Sequence, residues 1–351
     1  MTVSGGPGQR PGPPLLRGEA AVATDLVPGV APDAPKTRRP RPQRVTVRKP
    51  GRRLAAALRH RWLYVMLLPG VLYFLIFKYW PMYGLHIAFK DYLPFLGYAD
   101  SPWVGLKHFE TLFSGPDFAR LMGNTLMLAL LTIVFVFPAP IVVALLLNEL
   151  RTTLVKRSVQ SLIYIPHFLS WTIVASLTYL LFSADFGALA NVIHGFVGGQ
   201  KIDYVAQESW FRPIIILQLL WKQTGWGTII YLAALAGVDS QLYEAARVDG
   251  AGRWRQLWHI TLPAIRPAIV VMAILTSGHL MDSGFEQIWL MTTSLNRSVS
   301  EVFDTYVYYI GITQGAFSYS TALGLFKGLV GVLLIAGSNW LAKRLGQRGL
   351  Y

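Results

Sequence analysis

Six apolar runs, each long enough to cross a lipid bilayer, limit what this chain can fold into. They lie at about 62–88, 122–147, 158–182, 213–236, 264–291 and 319–341. A spanning helix needs roughly 20 mainly apolar residues, and only helices or closed barrels satisfy every backbone group inside hydrocarbon. The runs therefore predict an all-α polytopic membrane protein with six transmembrane helices. Composition agrees: 53% of the residues are hydrophobic and 14% are charged, a profile foreign to a soluble domain. The chain has no cysteine, which excludes disulfides, thiolate metal sites and cysteine nucleophiles.

Charge is unevenly spread. The net charge is +14, and residues 1–61 carry thirteen Lys/Arg against three Asp/Glu. That segment is rich in Pro, Gly and Arg without hydrophobic period, so a disordered cytoplasmic tail is expected over 1–55. The six-helix domain follows over 56–345, and a short tail over 346–351. Arg52 to Arg61, Arg151, Lys156, Arg157, Arg247, Arg253, Arg255, Lys343 and Arg344 all fall on one side of the spans. Basic residues near helix ends mark the cytoplasmic side, so both termini are expected there. The basic tail is read as a solvated topological anchor with no specific partner, the alternative being contact with anionic lipid headgroups, and not as a nucleic-acid site.

One polar stretch, 240–263, interrupts the apolar pattern on the cytoplasmic side. Residues 240–248 are helix formers, Asp249-Gly250 supplies turn chemistry, and a second short helix carries Trp254, Leu257, Trp258 and Ile260 as its apolar stripe. Pro263 ends that helix or begins the next span. The result is a helix, a glycine turn and a helix held out in water.

Glu244-Ala245-Ala246, Asp249-Gly250-Ala251 and Ile260, Leu262, Pro263 together resemble the EAA loop of ABC-importer permeases, over about twenty residues. Trp103-Val104-Gly105-Leu106 resembles a segment that follows the first span of sugar permeases. Tyr79-Trp80-Pro81-Met82-Tyr83-Gly84, followed by Ile87-Ala88-Phe89-Lys90-Asp91-Tyr92, is similar to LplB-type oligo- or polysaccharide permeases. The resemblance, covering about 62–343, implies a type I importer permease fold in the cytoplasmic membrane. It implies four kinds of contact: a second homologous permease, two cytoplasmic ATPase subunits, an extracytoplasmic solute-binding protein and the bilayer. It also implies that the loop around Glu244 and Gly250 carries ATPase motion into the spans, and that no cofactor is held.

Polar groups inside apolar spans mark substrate paths or buried pairs. The fifth run holds Asp282 and Glu286, four residues apart and so on one helical face, with Gly278 and His279 a turn before. Lys327 in the sixth run is expected near one of these carboxylates, either as a wall of a polar passage or as a structural pair. Gln218, Trp221, Gln223 and Thr224 in the fourth run combine aromatic faces with amide and hydroxyl groups, as a sugar site requires. Gly324, Gly328 and Gly331 are read as close-packing residues. His167 is read as a histidine hydrogen-bonded within the bundle, since no second ligand stands at metal spacing.

The chain has no G-x-x-x-x-G-K-[ST] phosphate loop, no H-E-x-x-H and no G-x-S-x-G. It is therefore read as a non-enzymatic permease subunit driven by a separate ATPase. The competing readings are the same machine carrying a non-sugar solute, an ion-coupled transporter using Asp282 and Glu286, and a membrane hydrolase.

Overall fold

The computed structural model describes residues 61–185, 187–198 and 202–346. The tail expected over 1–55 lies outside the described residues, as does all of 346–351 except Gly346. Leu67–Tyr351 form one compact unit; of the other unit, Met1–Met66, only the first helical residues 61–66 are described.

The described chain is helical, and its one β-type contact is an isolated bridge between Lys90 and Trp103. Its main helices are α1 (Arg61–Phe74), α2 (Pro116–Leu131), α3 (Pro138–Glu149), α4 (Thr153–Tyr164), α5 (Trp171–Phe182) and α6 (Glu208–Ala236). There follow α7 (Ser240–Val248), α8 (Arg253–Gln256), α9 (Leu262–Gly278), α10 (Phe285–Met291), α11 (Phe303–Tyr308) and α12 (Phe317–Arg344). Among the described residues, four continuous helices are long and apolar enough to span: Trp62–Phe89, Pro116–Glu149, Arg253–Gly278 and Phe317–Arg344. Thr153–Phe168 and Trp171–Phe182, folded by 100° against each other, reach that length and apolarity only when taken together.

The remaining apolar run is α6, whose 29 residues reach about 44 Å at 1.5 Å per residue. Its hydropathy is diluted by Gln218, Lys222 and Gln223. Gln218 and Lys222 are buried against other helices. Polar groups that face other helices need no apolar coat, and α6 packs on α3, α4 and α9 while Leu217, Trp221, Trp226 and Ile230 stay exposed.

Prolines set the local geometry. Pro138 lacks an N–H, and the turn before it, Thr132–Val136, relaxes into a π-helix that hands over to α3. Pro166 tightens the end of α4 into a 3-10 turn, Ile165–Phe168. Ser170 then restarts the chain as α5, its hydroxyl accepting from the Ile173 N–H at 3.3 Å. The expected third span is thus two helices meeting at a corner.

The expected fifth span also breaks. α9 stops at Gly278, and residues 279–284 turn before α10 begins after Gly284, which has φ +79°. The Ser283 N–H is taken by Asp304 Oδ2 at 3.0 Å, so the helical ladder is diverted to a side chain of another segment. Asp282 and Glu286 therefore do not share a helical face, as a continuous helix predicted.

Three apolar clusters form the core. Phe211, Ile215, Ile288 and Val302 join α6 to α10 and α11. Leu121, Phe303 and Leu323 join α2, α11 and α12. Ala144, Tyr231, Leu235 and Ile265 join α3, α6 and α9 nearer the α7 end. α6 and α4 approach closely at Gly225, where an added Cβ would lie 1.9 Å from the Ile163 carbonyl oxygen. Overpacking against flexible side chains costs about 1–3 kcal/mol, and here the obstacle is backbone. Gly225→Ala is expected to lower folded yield and thermal stability in detergent strongly; wild-type stability would show that α4 can move away.

Of the three glycines read as packing residues in the sixth run, only Gly331 is close to another helix. Its added Cβ would lie 3.3 Å from the Gly278 carbonyl, whereas Gly324 and Gly328 meet nothing within 4 Å among the described residues.

Candidate functional site

The polar stretch after α6 folds as a capped, sharply turned pair. Asp239 caps α7 by accepting from the Gln241 N–H at 2.9 Å. At the other end the Ala251 N–H donates to the Ala246 carbonyl at 2.8 Å and the Gly250 N–H to Arg247 at 3.1 Å. Gly250 has φ +73°. This is a Schellman ending with glycine at the left-handed position, where any side chain costs energy. Tyr243 Oη lies 3.0 Å from Thr261 Oγ1, tying α7 to the base of α9.

The second helix does not end at Pro263. α8 passes through a π turn, Leu257–Thr261, directly into α9, so Arg253–Gly278 is one 26-residue helix. Pro263 sits in the first turn of α9, and the π turn before it accommodates the ring. α8 is therefore joined to the fifth span without an intervening loop. The predicted apolar stripe also divides. Leu257 and Ile260 are half-buried, whereas Trp254 is 76% and Trp258 63% exposed. Trp254 and Leu257 form one side of a groove of about 460 Å³ completed by Val142, Leu145 and Leu146 of α3. Glu244, Ala245 and Asp249 are exposed; Ala246, Ala251 and Leu262 are half-buried.

Toward the other end, α2, α5, α6 and residues 276–287 enclose a cavity of about 290 Å³. Gln223, His279, Asp282 and Gln287 give it polar groups and Trp171 an aromatic wall. Gln287 is held firmly: its Nε2 donates to the Ile215 carbonyl at 3.0 Å and to Gln218 Oε1 at 2.9 Å. Gln218 Nε2 donates in turn to Thr178 Oγ1 at 2.7 Å. Because the amide nitrogen must face the Ile215 carbonyl, the Gln287 oxygen is fixed, and among the described residues it is buried without a partner. An acceptor left in that state costs about 1–3 kcal/mol.

Of the residues predicted for a substrate path, Gln223 and Asp282 line this cavity. Gln218 does not; it serves the network that orients Gln287. Trp221 lies in a separate apolar groove with Leu177, Leu181 and Leu217. The Thr224 carbonyl accepts from Thr228 within α6. Gly278 makes room for Ile335, whose Cδ1 would lie 2.4 Å from an added Cβ. Glu286 is exposed.

Lys327 Nζ lies 2.6 Å from Asp282 Oδ1 and also bonds Asp304. His279 Nδ1 sits 3.2 Å from Asp282 Oδ2. α12, the 279–284 turn and α11 are joined at this one ammonium group. Nearby, outside the spans, the Tyr306 hydroxyl donates to Asp117 Oδ2 at 3.1 Å. Burial, reinforced by Tyr319 and the Asp117 carboxylate, pushes the Tyr306 phenol well above its ordinary range, so it remains a donor.

The sequence reading passed over Lys222, a buried lysine whose Nζ donates to the His167 carbonyl at 2.8 Å and to the Leu169 carbonyl. It satisfies carbonyls freed by the corner between α4 and α5, and lies 5.3 Å from the centre of the Trp171 ring. A lysine in the middle of an apolar run was the available signal. His167, expected to be hydrogen-bonded, instead stacks on Trp226 with ring centres 4.4 Å apart, and its buried Nδ1 has no partner among the described residues.

Residues 136–348 match the family described as binding-protein-dependent transport system inner membrane component. The chain is 57% identical to protein LplB of Bacillus subtilis (strain 168), over 85% of this chain and 93% of that protein. It is 55% identical to the polygalacturonan/rhamnogalacturonan transport system permease protein YteP of the same organism, over 86% and 93%. Among solved structures, it is similar to a chain of a bacterial alginate ABC transporter in complex with an alginate pentasaccharide-bound periplasmic protein. That likeness has a TM-score of 0.79 and 37% identity, over 85% of this chain and 100% of that one. The apolar helices, the glycine-turned element and these likenesses converge: the chain belongs to the inner membrane components of binding-protein-dependent transport systems, in the LplB-like branch of carbohydrate ABC-importer permeases.

Proposed function

We propose that this chain is the permease subunit through which an ATP-driven importer passes a polysaccharide-derived oligosaccharide across the inner membrane. The supporting relatives include permeases named for polygalacturonan, rhamnogalacturonan and arabinooligosaccharides. In this reading a second permease completes the pathway, two ATPase subunits grip 240–263 from the cytoplasm, and a solute-binding protein delivers the glycan from outside. Both termini are cytoplasmic, with a tail over 1–55 and the permease domain over 56–345.

The observation that carries the reading is the cavity that Trp171, Gln223, His279 and Asp282 line together. Sugar hydroxyls are donors and acceptors on a ring with apolar faces, and this wall supplies both complements. Binding sites commonly span roughly 300–1,000 Å³, so a cavity of about 290 Å³ takes a glycan one unit at a time. The power stroke enters through α8: because it is continuous with α9, a shift at the ATPase surface moves Thr276 and His279 at the cavity.

Uptake of labelled oligogalacturonides into proteoliposomes, with and without ATP and ATPase subunits, tests the reading. Gln223→Leu is expected to raise KM about three- to tenfold, the loss of one hydrogen bond, with assembly unchanged. Uptake by this chain alone, driven by an ion gradient, would refute it in favour of ion coupling.

A further inference from the structure

A second pocket lies at the end of the molecule opposite the glycine-turned element. α6 relates the two ends: Ala236 leads toward α7, while Glu208, at the far terminus, accepts from the Ser298 hydroxyl. Beside Ser298, Arg297 and Glu301 open on a pocket of about 290 Å³ walled by Trp289, Thr292, Ser294 and Tyr309. None of these residues lines the inner cavity.

Its charged pair is firmly built. The Glu301 side chain is 5% exposed. Its Oε1 accepts from Arg297 Nε at 3.0 Å and Nη2 at 2.7 Å, and its Oε2 accepts from Arg120 Nη2 at 2.7 Å. Asn124 Nδ2 fixes the backbone beneath, donating to the Ser298 carbonyl at 2.8 Å and the Glu301 carbonyl at 3.0 Å. The Arg297 guanidinium carbon stands 4.7 Å from the centre of the Tyr309 ring. Trp289 is buttressed by Phe285 and Tyr308, at 5.7 and 4.9 Å between ring centres, yet remains 41% exposed.

A rigid aromatic surface beside a fixed guanidinium–carboxylate pair and hydroxyl side chains is the complement of a pyranose ring. The apolar ring face covers the indole, and neighbouring hydroxyls accept from Arg297, whose side chain is 45% exposed, and meet the Thr292 and Ser294 hydroxyls. A lipid chain has no use for the ion pair. We infer that this pocket is an outer subsite that takes one sugar ring of the arriving oligosaccharide before the inner cavity does; the inference rests on the importer reading. α10 serves both sites, since Gln287 and Trp289 are two residues apart and so point to roughly opposite sides of the helix.

Because the chain has no cysteine, Ser294→Cys places a single thiol in the pocket. The assembled transporter, with its other subunits made cysteine-free, is labelled from outside with a membrane-impermeant maleimide. Ligand-free binding protein, or binding protein loaded with oligogalacturonides, is present. Loaded protein is expected to slow labelling severalfold over ligand-free protein, and adding Trp289→Ala is expected to abolish that difference. Arg297→Gln should raise the KM of uptake about tenfold, a loss typical of one charged hydrogen bond, with kcat within about twofold.

Equal protection by ligand-free binding protein would make the pocket a protein contact and overturn the inference. So would unprotected labelling while uptake proceeds, and that result leaves the importer reading intact. Absence of ATP-driven oligogalacturonide uptake defeats the importer reading for that glycan, and the subsite with it.

Discussion

Replacing Gly250 by proline is expected to abolish ATP-driven uptake while the chain still inserts in the membrane. The residue adopts φ +73°, whereas proline is locked near −65°. The change also removes the N–H that bonds the Arg247 carbonyl. α7 then cannot end in its present turn, and α8 leaves α7 in another direction. Space is not the issue, since among the described residues nothing lies within 4 Å of an added Cβ. Gly250→Ala therefore isolates the conformational penalty, about 1–2 kcal/mol for a side chain in the left-handed region, and should retain partial uptake. The check is ATP hydrolysis and uptake measured in the same proteoliposomes. Hydrolysis that continues without uptake is the expected result for the proline variant. Coupled transport at the wild-type rate would show that the turn does not transmit force.

Lys327→Met is expected to be the most destabilising single change among the charged residues of the spans. The Lys327 and Asp304 side chains are 16% and 18% exposed. Removing the ammonium leaves the Asp304 carboxylate in poor solvent without its cation, and breaking a buried pair this way costs roughly 3–5 kcal/mol. Asp282 suffers less, being 54% exposed and within 3.2 Å of His279. Stability falls because α12, the 279–284 turn and α11 lose their common tie. The second substitution Asp304→Asn should restore much of the loss, since it removes the stranded charge; thermal unfolding of both variants in detergent gives the coupling directly. A single variant as stable as wild type would show that water or another cation reaches Asp304. The result also separates the two roles considered for Lys327. Restored stability with restored uptake assigns a structural pair, and restored stability without uptake assigns a passage.

The elements most legible from the sequence were those whose cause is local. The apolar runs had to be helices because hydrocarbon offers no partner to an unpaired backbone group. The run of helix formers over 240–248 and the turn residues Asp249-Gly250 specified α7 and its ending without help from the rest of the chain. The less legible elements were breaks. The corner at Ile165–Phe168 and the turn at 279–284 lie inside runs whose average apolarity is that of a straight span. They exist because carbonyls freed there find donors far away in sequence, such as Lys222, and because an exposed N–H finds Asp304.

By its sequence alone this protein was determined to be a helical membrane protein, with apolar segments of spanning length and one glycine-turned polar element between two of them. Which polar side chains meet was decided only by tertiary packing. Gln218 and Gln223 lie five residues apart on α6, yet one is locked in a buried network and the other lines the cavity. Asp282 and Glu286 lie four apart, yet only Asp282 reaches Lys327. The physical reason is that lipid exposure constrains the average character of a helix. The direction each polar group faces depends on which neighbouring helix can complete its hydrogen bonds, and that neighbour is remote in the chain.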